Sequence, residues 1–138
     1  MRFFSKLRKR VLDDADFGPI KEGKRGQWEG QHFQLWGYSS VQVLIDAGPD
    51  GPSMEHRSFV RSLQLEHAGI RSRIEEAVSL HARQTSQQPG PLKMSSIYLP
   101  QKPSEQTWRV WYDLVGEEHF WYGAEISGWQ EIAPFTED

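Results

Sequence analysis

The stretch WRVWYDLVGEEHFWYGAEISGW, Trp108 to Trp129, decides how this chain is read, because two alternating arms flank a glycine-bearing turn. Strand side chains point alternately to opposite faces, and residues paired across a hairpin share a face. A three-residue loop, Gly116-Glu117-Glu118, pairs Val115 with His119, Leu114 with Phe120, Tyr112 with Tyr122, Val110 with Ala124 and Trp108 with Ile126. One face is then apolar throughout, from Trp108 to Leu114 and from Phe120 to Ile126. The other face carries Arg109 opposite Glu125, Trp111 opposite Gly123 and Asp113 opposite Trp121. A two-residue turn on Gly116-Glu117 would set Leu114 against His119 and scramble both faces, so the longer loop is expected.

A second hairpin is expected upstream, from Trp28 to Trp36 and from Val41 to Asp46. Pairing Phe33 with Ile45, Leu35 with Val43 and Gly37 with Val41 leaves Tyr38-Ser39-Ser40 as its loop. That register gathers Phe33, Leu35, Val41, Val43 and Ile45 on one face. Phe17 to Ile20 reads as a short strand start after the acidic Asp13, Asp14 and Asp16, and Pro19, lacking an amide donor, suits an edge. Met94 to Leu99 is a further strand, ended by Pro100.

Between these groups, Ser53 is a candidate N-cap with Glu55 in the first turn. Phe59, Val60, Leu63, His67, Ile70, Ile74, Ala77, Val78 and His81 then keep helical spacing to about Gln84. A straight helix of that length would span roughly 48 Å, against a radius of gyration of about 14 Å for a compact domain of this size. A break near Ala68-Gly69 is therefore expected, where glycine is a poor helix former. The expected fold class is α+β: an antiparallel sheet of about five to six strands built from two hairpins, covered on one face by a kinked helix or helix pair. The 138 residues read as a single domain, with residues 1–15 a basic, frayed or docked N-terminal segment and residues 85–91 a Pro/Gly connector.

Composition narrows the chemistry. The absence of cysteine excludes disulfides, thiolate metal sites and cysteine nucleophiles. Net charge is -3, laid out unevenly. Met1 to Arg10 holds five basic residues and no acid, while Ser104 to Asp138 holds eight acids against the single base Arg109. An acidic surface repels phosphate backbones and favours cationic partners, so nucleic-acid binding is not expected and a basic protein partner is. The start, MRFFSKLRKRV, places Phe3, Phe4, Leu7 and Val11 at helical spacing but lacks the apolar run of a signal peptide, and no later stretch approaches membrane-span length.

The candidate binding surface is the polar face of the last hairpin: Arg109, Trp111, Asp113, His119, Trp121 and Glu125. Tryptophans among charges offer large contact area at low entropic cost. No residue cluster has the spacing of a catalytic or metal motif: HExxH, GxSxG, SxxK, the P-loop and GxGxxG are all absent. No metal and no cofactor is expected. His67 and His81, fourteen residues apart on the apolar stripe, fit partly buried packing better than zinc ligation. A small hydrolase or ligand-binding enzyme working near His119 or His32 is the alternative.

FGPI at 17–20, QWEGQ at 27–31, VQVLID at 41–46, a helical middle and HFWYGAEISG at 119–128 together resemble bacterial families of small proteins known only as domains of unknown function. Those families show an FG-x-hydrophobic strand, a W-[EK]-G strand and a late aromatic strand ending near a glycine. The TSQQPGP connector and the basic start depart from that pattern. The resemblance implies an α+β fold and a bacterial cytoplasmic setting, and some proteins of this kind look like toxin-immunity proteins, which bind a partner without chemistry. The expectation from sequence is thus a non-catalytic cytoplasmic protein-binding domain of immunity type.

Overall fold

A computed structural model describes residues 10–85 and 90–138. Among the described residues, eight strands form one open sheet in chain order: β1 (Val11–Asp14), β2 (Gly18–Glu22), β3 (Gln27–Leu35), β4 (Tyr38–Asp46), β5 (Leu92–Leu99), β6 (Thr107–Leu114), β7 (Trp121–Ser127) and β8 (Glu131–Glu137). Every neighbouring pair is antiparallel except β4 and β5, which run parallel. A parallel pair needs a long return connection, and here two helices supply it: α1 (Met54–Gln64) and α2 (Ile70–Thr85).

The expected antiparallel sheet of five to six strands is therefore corrected to a mixed sheet of eight. β1 and β8 are the two additions, one at each edge. β8 includes Pro134, which cannot donate a ladder hydrogen bond and so argues against a strand in sequence, yet proline is tolerated on an edge. Pro19 is not at the edge as expected, because β1 lies outside it and pairs Asp13 with Pro19. Of the N-terminal helical spacing, Phe3, Phe4 and Leu7 lie outside the described residues, and Val11 is in a strand. Most of the Pro/Gly connector, residues 86–89, also lies outside them.

The last hairpin pairs Trp108 with Ile126, Arg109 with Glu125, Val110 with Ala124, Trp111 with Gly123 and Tyr112 with Tyr122. Beyond Tyr112 the expected ladder ends. Residues 115–120 form the loop, so Val115 and His119 do not pair, nor do Leu114 and Phe120. Leu114 instead pairs with Leu92 on β5, and Phe120 is 40% exposed rather than inward. The first hairpin also departs from expectation. Trp28 pairs with Ile45, Gly30 with Val43, Phe33 with Val41 and Leu35 with Tyr38, leaving Trp36-Gly37 as the turn. Both turn residues have positive φ, 55° and 85°, as a two-residue turn matched to strand twist requires. A third left-handed residue, Ser40 at φ 57°, sits where the register shifts, so the apolar set still falls on the buried face.

The helices cover one face. Ser53 caps α1: its side chain accepts from the His56 amide, and the His56 ring accepts from the Ser53 amide at 3.1 Å. Phe59, Val60 and Leu63 of α1 and Ile70, Ile74, Val78 and Ala82 of α2 are buried. The helical run breaks from Leu65 to Gly69, where Glu66, Ala68 and Gly69 all take positive φ. His67 falls in this break and is exposed, not on a buried stripe; its ring meets Trp129 edge-on at 4.9 Å. The acidic cluster at the end of β1 has a structural use: Asp14 pairs with Arg57, and Asp16 with Arg61 at 3.1 Å, tying α1 to the end of β1 and its turn into β2. Among the described residues, no helix is long and apolar enough to cross a membrane.

Candidate functional site

The face of the sheet away from the helices is built by parity. Cross-strand pairs align Lys21, Glu29, Leu44, Tyr98, Arg109, Glu125 and Ala133 in one row. Gln42, Ser96, Trp111, Gly123 and Phe135 form the next. Lys93 faces Asp113, and Trp121 faces Glu137. Gly123 is required in this surface because a Cβ there would meet Val110 O at 2.3 Å and Phe135 Cζ at 2.6 Å. The bare backbone lets the Phe135 ring close in from β8, where it meets Trp111 edge-on at 6.2 Å.

Five of the six residues singled out in the sequence share this face: Arg109, Trp111, Asp113, Trp121 and Glu125. Arg109 pairs with Glu125 at 3.2 Å, both about half exposed. Trp111 is half-buried and Trp121 is 48% exposed. His119 is not brought to the group. It sits in the loop, exposed, with its amide donating to Glu117 Oε1 at 3.0 Å. His32 is exposed on β3.

Two hollows mark the face, and Leu44 lines both. The smaller, about 240 Å³, is lined by Leu44, Ser95, Ser96, Trp111, Trp121 and Glu137. The larger, about 510 Å³, includes Lys24, Gln27, Glu29, Asp46 and Tyr98. In it Tyr98 donates its hydroxyl to Asp46 Oδ2 at 2.7 Å. Burial, and then the carboxylate partner, push the phenol up to about 12, so it remains a donor. Leu44, Tyr98, Phe135 and Glu137 were not among the sequence candidates. Their place depends on the parallel β4–β5 pairing and on β8, neither of which local alternation reveals.

Two polar groupings lie elsewhere. His56 is buried, with Nε2 2.8 Å from Pro100 O and Nδ1 2.9 Å from Ser53 Oγ. A nitrogen facing a carbonyl must carry the proton, so Nε2 donates and Nδ1 accepts. The serine, imidazole and carbonyl follow the order of a nucleophile relay, but the geometry is accounted for by the helix cap. Second, Glu75 Oε2 accepts from both Tyr38 at 2.9 Å and Tyr112 at 3.0 Å, while Arg71 reaches Oε1 at 3.3 Å. This node joins α2 to β4 and β6. His81 on α2 is half-buried and bonded to Thr136 Oγ1 at 2.8 Å. Among the described residues, no group of three or more His, Asp or Glu is placed to hold a metal ion.

No protein-family model, no curated protein and no solved structure matches this chain. The resemblance to the bacterial families thus rests on the quoted motifs alone.

Proposed function

We propose that this protein is a non-catalytic binding domain of immunity type that docks a basic cytoplasmic protein on the helix-free face of its sheet. One observation carries the reading: Trp121 stands 48% exposed beside Trp111 and Phe135, on a face where carboxylates outnumber cations. By register that face holds Glu29, Asp46, Asp113, Glu125, Glu131 and Glu137 against Lys21, Lys93 and Arg109, with Lys24 of the β2–β3 turn in the larger hollow. Two of these four cations are already engaged by neighbours, Lys21 by Glu29 at 3.8 Å and Arg109 by Glu125 at 3.2 Å. Indole rings supply contact area, and the uncompensated carboxylates select and steer a cationic partner.

Affinity capture from the native host, with the bound protein identified, tests this. A basic protein is expected, retained by the wild type and lost with Trp121→Ala. Its association rate should fall with added salt, since exposed charges are screened over about 8–10 Å at physiological ionic strength. A captured metal or small molecule with no protein would point to an enzyme instead.

A further inference from the structure

Trp111, Trp121 and Glu137 line one hollow of about 240 Å³, with Ser95 and Ser96 beside them. The ladder explains the grouping: Ser96 pairs with Trp111 across β5 and β6, and Trp121 with Glu137 across β7 and β8. The volume lies below the roughly 300–1,000 Å³ of small-molecule sites and suits one long side chain. Among the described residues, Glu137 takes part in no ion pair. The chain's own nearby ammonium, Lys93, is opposite Asp113 instead.

We propose that this hollow seats a single arginine side chain of the docked protein, a refinement that rests on the docking reading above. Tryptophan presents the strongest ring face to a cation, and Glu137 supplies the opposite charge. Ser95 Oγ donates to Trp111 O at 3.2 Å, which leaves its oxygen as an acceptor toward the hollow. Carboxylate and hydroxyl acceptors beside indoles suit a planar guanidinium, with five donors, weak hydration and a stacking face. A lysine ammonium holds its water more strongly and would stay hydrated in so open a hollow.

The test titrates N-acetyl-L-arginine amide into the 15N-labelled full chain and follows the indole N–H resonances. Those of Trp111 and Trp121 should move saturably, while those of the buried Trp28 and Trp108 stay in place. N-acetyl-L-lysine amide should bind about fivefold more weakly or worse, and Glu137→Gln should weaken the arginine amide by about fivefold with the rest of the spectrum unchanged. Still indoles, equal response to the two amides, or an unaffected Glu137→Gln variant would each overturn the seat. The two readings fail separately. A chain that captures a basic protein through Trp121 yet ignores arginine amide loses only the seat. One that binds arginine amide but captures no protein loses the docking reading and keeps the hollow only as a guanidinium site.

Discussion

Tyr112 donates its hydroxyl to Glu75 Oε2 at 3.0 Å, linking the middle of β6 to the middle of α2 inside the molecule. Burial first, and then the neighbouring carboxylate, raise the Tyr112 phenol far above its ordinary value. Tyr98 is raised to about 12 by the same two causes, with Asp46 as the carboxylate. In the unfolded chain both phenols lose their protons at about pH 10. Above that pH the unfolded state holds fewer protons than the folded one, so stability must fall as pH rises. Urea melts at about pH 8 and about pH 11 should show this loss. Tyr112→Phe should cost about 1.5–3 kcal/mol at neutral pH, the range for a hydrogen bond to a charged group, and flatten the alkaline slope. An unchanged slope would mean that Tyr112 is not the phenol responsible.

The acid limb has a different origin. Burial pushes the Asp14 carboxyl up, but the Arg57 guanidinium and the amides of Asp16 and Phe17 outweigh it and hold Asp14 below the usual carboxylate range. A lowered folded value means stability is present above the unfolded value of about 4 and is lost as pH falls through the folded one. Asp14→Asn should therefore lower stability at neutral pH and shrink the pH dependence below about 4, read by thermal melts across that range. Wild type and variant losing stability in parallel on acidification would assign the acid sensitivity to other carboxylates.

Parity makes the last hairpin legible in sequence. Trp108 and Tyr112 have no exposure, whereas Arg109 and Asp113 face outward, because alternation is a property of the strand itself. The break at Glu66 to Gly69 is legible for a global reason, since an unbroken helix would outrun a compact domain. What escapes is set by pairing partners rather than by a segment's own residues. β8 is masked by Pro134 and becomes a strand only because β7 offers it an edge. The Trp36-Gly37 turn escapes because tryptophan at φ 55° is a poor local bet, held here by Trp36 Nε1 donating to Leu63 O at 2.6 Å. The same limit applies to the candidate face. Trp111 and Trp121 can be placed from the hairpin alone, but Glu137, Phe135 and Tyr98 join them only through the sheet order.

Gly123 offers a direct check on that sheet order. Its missing Cβ would lie 2.3 Å from Val110 O and 2.6 Å from Phe135 Cζ, so Gly123→Ala must push β6 or β8 aside. Overpacking of this kind costs about 1–3 kcal/mol. Gly48 is the control, with open space around its Cβ position. Gly48→Ala should be neutral or stabilise by up to about 1 kcal/mol. Equal denaturation midpoints for the two variants would remove Phe135 from its place over Gly123.

The last prediction separates surface from core within one hairpin. Trp108 is fully buried, with its ring edge-on to Phe59 at 5.2 Å and its Nε1 donating to Gly128 O at 2.8 Å. Trp108→Ala should cost about 3–5 kcal/mol, the range for deleting a large buried aromatic. Trp121 and Phe120 are 48% and 40% exposed, so alanine at either position opens no core cavity. Each of those variants should melt within about 0.5 kcal/mol of the wild type, as surface changes do. Their binding behaviour should differ. Trp121 lines the hollow with Trp111 and Glu137, and Phe120 does not. Trp121→Ala should weaken the basic partner by about 1 kcal/mol or more, while Phe120→Ala leaves it unchanged. Melts and partner titrations on the three variants give each residue two independent readouts. Loss of folding in Trp121→Ala would place that ring in the core, and equal loss of binding in Phe120→Ala would move the contact surface onto the loop.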